Sequence, residues 1–65
     1  MFNARVKNTL TGEVCIFESY ESEDVCAISD ARIQAAYFWN ISVNCTIFVD
    51  LWNEQGEEII VYCLD

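Results

Sequence analysis

Apolar and polar residues alternate at both ends of the chain, and each alternating stretch is broken by a four-residue phrase that closes on glycine. The phrases are Thr9-Leu10-Thr11-Gly12 and Asn53-Glu54-Gln55-Gly56. A type I turn followed by a left-handed residue, which glycine adopts at little cost, makes a bulged β-hairpin. The pattern therefore predicts a hairpin at each end. The glycine bulge sets a trial register. In the first hairpin Val6 then faces Ile16, Asn8 faces Val14 and Phe2 faces Tyr20. One face gathers Phe2, Ala4, Val6, Val14, Ile16 and Tyr20, with Glu18 as a misfit. In the second hairpin Leu51 faces Ile59, Val49 faces Val61 and Ile47 faces Cys63, so Cys45, Ile47, Val49 and Leu51 point to the core. A slip of one residue would exchange the faces.

Between the hairpins, residues 22–40 read as helix. Ser22 is a plausible N-cap, and Glu23 and Asp24 stand in the first turn, where the helix dipole favours anions. Val25, Ile28, Ala35 and Trp39 share one helical stripe, interrupted by Arg32 and flanked by Ala31 and Phe38. Ser29-Asp30 offers a second cap that would divide the helix in two. The expected fold is α+β in the order ββαββ: one compact domain over residues 1–65, with a four-stranded, mostly antiparallel sheet and one helix packed on one face. Such a sheet leaves its other face open. The trial register gives that face Phe17, Phe48, Trp52, Ile60 and Tyr62, an aromatic patch suited to a partner or to a second copy of the chain. If the helix covers this face instead, the assignment inverts.

Charge sharpens the picture. The 65 residues carry eleven acids, three bases and no histidine, for a net charge of −8. Arg5 and Lys7 precede every acid, and Arg32 is the one later cation. Acids fill residues 13–30 and 50–65 without a base among them. With so few partners, most carboxylates are expected to face water. The candidate partner-binding acids are Glu21, Glu23, Asp24, Asp30, Asp50, Glu54, Glu57 and Glu58. Of these, Glu54, Glu57 and Glu58 in one loop and Glu21, Glu23 and Asp24 in one segment are the candidate phosphate mimics. A surface that grips nucleic acid directly needs clustered lysine and arginine, so direct nucleic-acid binding is not expected. The plainer explanation of the charge is that it keeps a small apolar protein in solution.

Catalytic chemistry finds little footing. Histidine is absent, Lys7 is the one lysine, and no glycine-rich loop is present to cradle phosphate. Cys15, Cys26, Cys45 and Cys63 form no Cys-x-x-Cys pair, so neither a metal site nor another cofactor is expected. Free thiols in a reducing cytoplasm are the expected state. Cys15, cross-strand from Lys7 in the trial register, is the thiol nearest a cation. No apolar run approaches the ~18 residues of a membrane span, and the first residues do not read as a secretory signal.

The expectation is a non-catalytic inhibitor that occludes the basic surface of another protein, a nucleic-acid-binding enzyme or effector. In size and charge the chain resembles the small acidic proteins that phages make against host nucleases, CRISPR effectors, restriction enzymes and RNA polymerase. That resemblance implies a nucleic-acid mimic of anti-defence or anti-CRISPR type acting in the host cytoplasm. The alternative is a structural or accessory domain that forms a homodimer through its aromatic sheet face.

Overall fold

Two hairpins and a helix form where the pattern places them. The computed structural model describes residues 1–61; Tyr62, Cys63, Leu64 and Asp65, with the roles expected of Tyr62 and Cys63, lie outside the described residues. The elements are β1 (Phe2–Asn8), β2 (Val14–Ser19), α1 (Asp24–Trp39), β3 (Thr46–Asn53) and β4 (Glu58–Val61), with a short 3-10 turn at Val43–Cys45 before β3. All strand pairs are antiparallel, in the order β2-β1-β3-β4. The protein is thus α+β with the order ββαββ. Since β2 and β3 both run against β1, they run the same way, and α1 is the crossover that joins them across one face of the sheet.

Both turns use the same local device. The Asn8 side-chain oxygen accepts the amides of Leu10 (2.9 Å) and Thr11 (3.3 Å). Asn53 accepts those of Gln55 (3.0 Å) and Glu57 (2.9 Å). An asparagine that bonds its own following backbone fixes a turn without help from the rest of the fold. Gly12 (φ 81°) and Gly56 (φ 80°) then take the left-handed conformation expected of them.

The core is thin and built around alanine. Ala27, Ala31 and Ala35, four residues apart on α1, meet Ala4, Val6, Phe48 and Leu51 from the sheet. Methyl-sized side chains let the helix lie close to the strands. Phe2, Phe17, Ile28, Trp39 and Ile60 close the margins. Val25, placed on the packed stripe by the sequence, is exposed, because α1 is rotated to present the alanines. The helix runs unbroken through Ser29-Asp30, and Glu23, not Ser22, is its N-cap. It ends where Asn40 turns left-handed (φ 54°) and Ile41 N–H donates to the Ala36 carbonyl at 3.0 Å, a Schellman-type closure.

The trial registers need correction in both hairpins. In the first, Phe2 pairs with Ser19, Ala4 with Phe17 and Val6 with Cys15, one residue away from expectation. The turn holds four residues, closed by Asn8 N–H to the Glu13 carbonyl and Gly12 N–H to the Asn8 carbonyl, both at 2.8 Å. The slip exchanges the faces of β2: Phe17 goes under the helix, while Val14 and Ile16 turn outward. It also frees Glu18 into water and buries Ser19, whose hydroxyl donates to Asp30 at 2.6 Å. In β3, Val6 pairs with Phe48 but Arg5 with Asp50, so Val49 is an extra residue. In β4, Leu51 pairs with Ile60 but Trp52 with Glu58, so Ile59 is extra. A bulge shifts the alternation by one. This lets Phe48, Leu51 and Ile60 all pack toward the helix.

Candidate interaction surface

The antiparallel topology brings the start of β1, the ends of β2 and β3 and the start of β4 to one end of the sheet, beside the segment that leads into α1. Two acidic segments far apart in the chain therefore share that end. Glu21 and Glu54 border the same depression of about 310 Å³, together with Met1, Phe2, Ser22, Asn53 and Gln55. Glu21, Glu23, Glu54, Glu57 and Glu58 are exposed. Asp24 is half-buried, with its carboxylate accepting Val25 N–H at 2.8 Å. Glu57 accepts from the Asn53 side-chain amide at 3.2 Å, which ties it to its turn.

Two of the three cations stand elsewhere, and the third is paired. Arg32 donates to the Thr46 hydroxyl (3.1 Å), the Thr46 carbonyl (3.2 Å) and the Val43 carbonyl (3.1 Å), where it latches the helix to the entry of β3. Lys7 lies near the Asn8 turn, at the far end of β1. Arg5 is engaged on the sheet face away from α1. Its Nε donates to Asp50 Oδ1 at 2.9 Å, its Nη2 donates to Asp50 Oδ2, and its guanidinium lies 5.3 Å from the centre of the Trp52 ring. The hydrogen bond it donates to Asp50, then the charge of Asp50 and, more weakly, that of Glu58, raise the Arg5 pKa above its ordinary value. Among the described residues the one ion pair at the acidic end joins the N-terminal ammonium to Glu54 at 2.8 Å.

That contact has a measurable signature. Hydrogen bonding to the ammonium, and then its charge, hold the Glu54 carboxyl below its ordinary value of 4.5. A group depressed on folding adds stability above its unfolded pKa and loses that contribution as pH falls through the folded pKa. In a carboxyl-carbon NMR titration, Glu54 is expected to titrate below the usual glutamate range. Acetylation of the N-terminus, which removes the charge, is expected to return it upward.

Two of the eight expected acids do not belong to this surface. Asp50 is 3 % exposed and committed to Arg5, so it presents no charge to a partner. Asp30 sits within the helix, half-buried, and accepts from Ser19 Oγ and from Gln34 Nε2 (3.2 Å). Gln34 Nε2 also donates to the Glu18 carbonyl at 2.7 Å, so this group of side chains pins α1 to the end of β2. Both carboxylates hold the fold together.

Among the described residues the expected aromatic face does not form as one surface. Phe17, Phe48 and Ile60 lie under the helix, and Phe17 meets Phe38 and Trp39 edge-on at 5.8 Å between ring centroids. Trp52 points the other way and is roofed by Arg5. The slip in β2 and the bulges at Val49 and Ile59 together account for the inversion. Lys7 now pairs with Val14 and Cys15 with Val6, so Cys15 and Lys7 fall on opposite faces and the lysine-assisted thiol is lost. Cys15, Cys26 and Cys45 are free thiols. Among the described residues no group of three or more histidine, cysteine or acidic side chains could hold a metal ion, and no helix is long and apolar enough to cross a membrane.

The sequence reading missed part of the apolar surface that remains exposed, including Val14 and Ile16 on the outer sheet face and Ile33 and Phe38 on the helix. The signal was available in a helix with apolar residues all round, which one sheet face cannot cover. Comparison with protein-family models, with curated proteins and with solved structures gives no match.

Proposed function

We propose that the chain is a small non-catalytic binding protein that uses its acidic end to occlude a basic, nucleic-acid-binding surface of another protein. One observation carries the reading: Glu21, Glu23 and Asp24 from one segment and Glu54, Glu57 and Glu58 from another share one end of the sheet, away from Lys7 and Arg32, while Arg5, the one cation that feels Glu58, is already held by Asp50. Carboxylates fixed on a rigid scaffold stand in for phosphates and occupy the lysines and arginines that would neutralise a nucleic-acid backbone. Exposed like charges within about 10 Å reinforce one another at ordinary salt. The resulting field speeds encounter with a cationic surface and weakens as salt is added. The phage anti-defence setting implied by size and charge is part of this proposal.

The test pairs the protein with a basic DNA-binding domain as probe. Affinity is expected to fall at least about tenfold between 50 and 200 mM salt, in the manner of phosphate contacts, and duplex DNA is expected to compete. Combined reversal of Glu21, Glu54, Glu57 and Glu58 to lysine is expected to abolish binding. Glu13→Lys, at the opposite end, is expected to leave it nearly intact. Affinity indifferent to salt would remove the electrostatic reading. The alternative, a dimer through the aromatic face, would have to form without Phe17, Phe48 and Ile60, which pack toward the helix.

A further inference from the structure

The two edges of the sheet are defended differently. Over the described residues β4 carries a bulge. β2 has six residues and pairs with β1 without interruption, and it contains no proline, lysine or bulge. These are the devices that ordinarily keep an edge from pairing with another chain.

The hydrogen bond from Asn8 N–H to the Glu13 carbonyl sets the phase of the β1–β2 ladder. In an antiparallel pair the bonded positions alternate. Cys15, Phe17 and Ser19 therefore turn their backbone groups to β1, while Val14, Ile16 and Glu18 turn theirs away. The Glu18 carbonyl is already taken by Gln34. Val14 and Ile16 keep both amide and carbonyl open among the described residues. Their side chains are 46 % and 61 % exposed on the outer face, and Phe38, 65 % exposed, leans on Phe17 on the helix face. Apolar surface thus flanks the same open stretch on both faces.

We propose that a second copy of the chain pairs with this edge, β2 against β2 and antiparallel, about a two-fold axis at Cys15. In that register Val14 of each copy faces Ile16 of the other, and each pair exchanges amide and carbonyl through the groups left open. The bond from Gln34 to Glu18 is undisturbed. Glu18 falls opposite Gly12 and Glu13 opposite Phe17, so no two carboxylates confront each other. The antiparallel arrangement sends the two acidic ends to opposite ends of the pair, which limits repulsion between chains of charge −8. The next two-fold register, centred on Ile16, sets Val14 against Glu18 and requires the carbonyl that Gln34 holds. An extended segment of a different protein is the competing occupant, and it lacks this self-complementarity. The inference is independent of the proposed function, since the acidic ends stay free.

Sedimentation of the full chain from about 10 to 200 µM is expected to show a monomer–dimer equilibrium, as suits an interface of modest area. Ile16→Lys and Val14→Lys are each expected to weaken the dimer at least about tenfold by placing charge on the paired edge, with helix and sheet content by circular dichroism unchanged. Because Cys15 and its symmetry mate occupy a non-hydrogen-bonded pair, with Cα atoms about 4.5 Å apart, a variant keeping Cys15 as its one thiol is expected to form a covalent dimer. The oxidant is diamide, which takes up the two thiol hydrogens as the disulfide forms. A variant keeping Cys26 alone is expected to stay monomeric. Should the lysine variants unfold, the thiol pair decides. Monomer across the whole concentration range, a dimer indifferent to both lysines, or a Cys15 variant that does not cross-link would each overturn the proposal.

Discussion

Leu51→Ala is expected to cost about 2–5 kcal/mol, the range for removing a fully buried leucine. Among the described residues Leu51 is the largest wholly buried side chain, and it joins Ala4 on β1 to Ile60 on β4. A 65-residue domain commands about 3–10 kcal/mol in total, at roughly 0.05–0.15 kcal/mol per residue. One substitution therefore removes a large share of the stability. The site is also poorly placed to collapse, because the helix opposite offers only the methyls of Ala27, Ala31 and Ala35. Urea unfolding followed by tryptophan fluorescence is expected to show the variant partly unfolded in buffer at 25 °C. A loss below about 1 kcal/mol, which is typical of surface changes and mild core swaps, would mean that the centre of packing lies elsewhere.

Ala31→Leu is expected to be nearly as damaging, for the opposite reason. Ala31 is wholly buried between its two equivalents on the helix. Added methylenes in a filled contact force the elements apart, at about 1–3 kcal/mol. For a domain of this size each kcal/mol lowers the melting temperature by roughly 4–8 °C. Ile33→Leu, on the exposed side of the same helix, is expected to change stability by no more than about 0.5 kcal/mol. Comparing the two melting temperatures separates packing from helix propensity, since leucine is a good helix former at both positions.

The element order and both turns could be read from the chain because they depend on local chemistry. Gly12 and Gly56 take the left-handed conformation that the turn requires, and Asn8 and Asn53 each close a turn with bonds to residues directly after them. Strand phase was harder. β2 carries apolar residues on both sides, Val14 and Ile16 on one and Cys15 and Phe17 on the other, so alternation alone does not choose a register. Glu18 held the decisive hint, since the trial register put its carboxylate in the core while the observed one puts it in water. The bulges at Val49 and Ile59 left no mark in the hydrophobic pattern, and they moved Phe48 and Ile60 under the helix. Acidity was evident from composition, but its convergence at one end follows from strand order. Asp50 was misjudged because charge counting does not say which carboxylate the one sheet arginine will hold.

The seam between β1 and β3 has a consequence for how quickly the molecule assembles. Each hairpin joins residues close in the chain, and contacts of that kind form in about 1–10 µs. The β1–β3 ladder, in contrast, ties Phe2 to Asn53 and Asn8 to Thr46, and so waits until β2 and the whole helical crossover have been gathered in. The entropy of closing that long loop is incurred before the ladder gives anything back. The pace of folding is thus set at the middle of the sheet, while its two outer strands are carried into place by their turns.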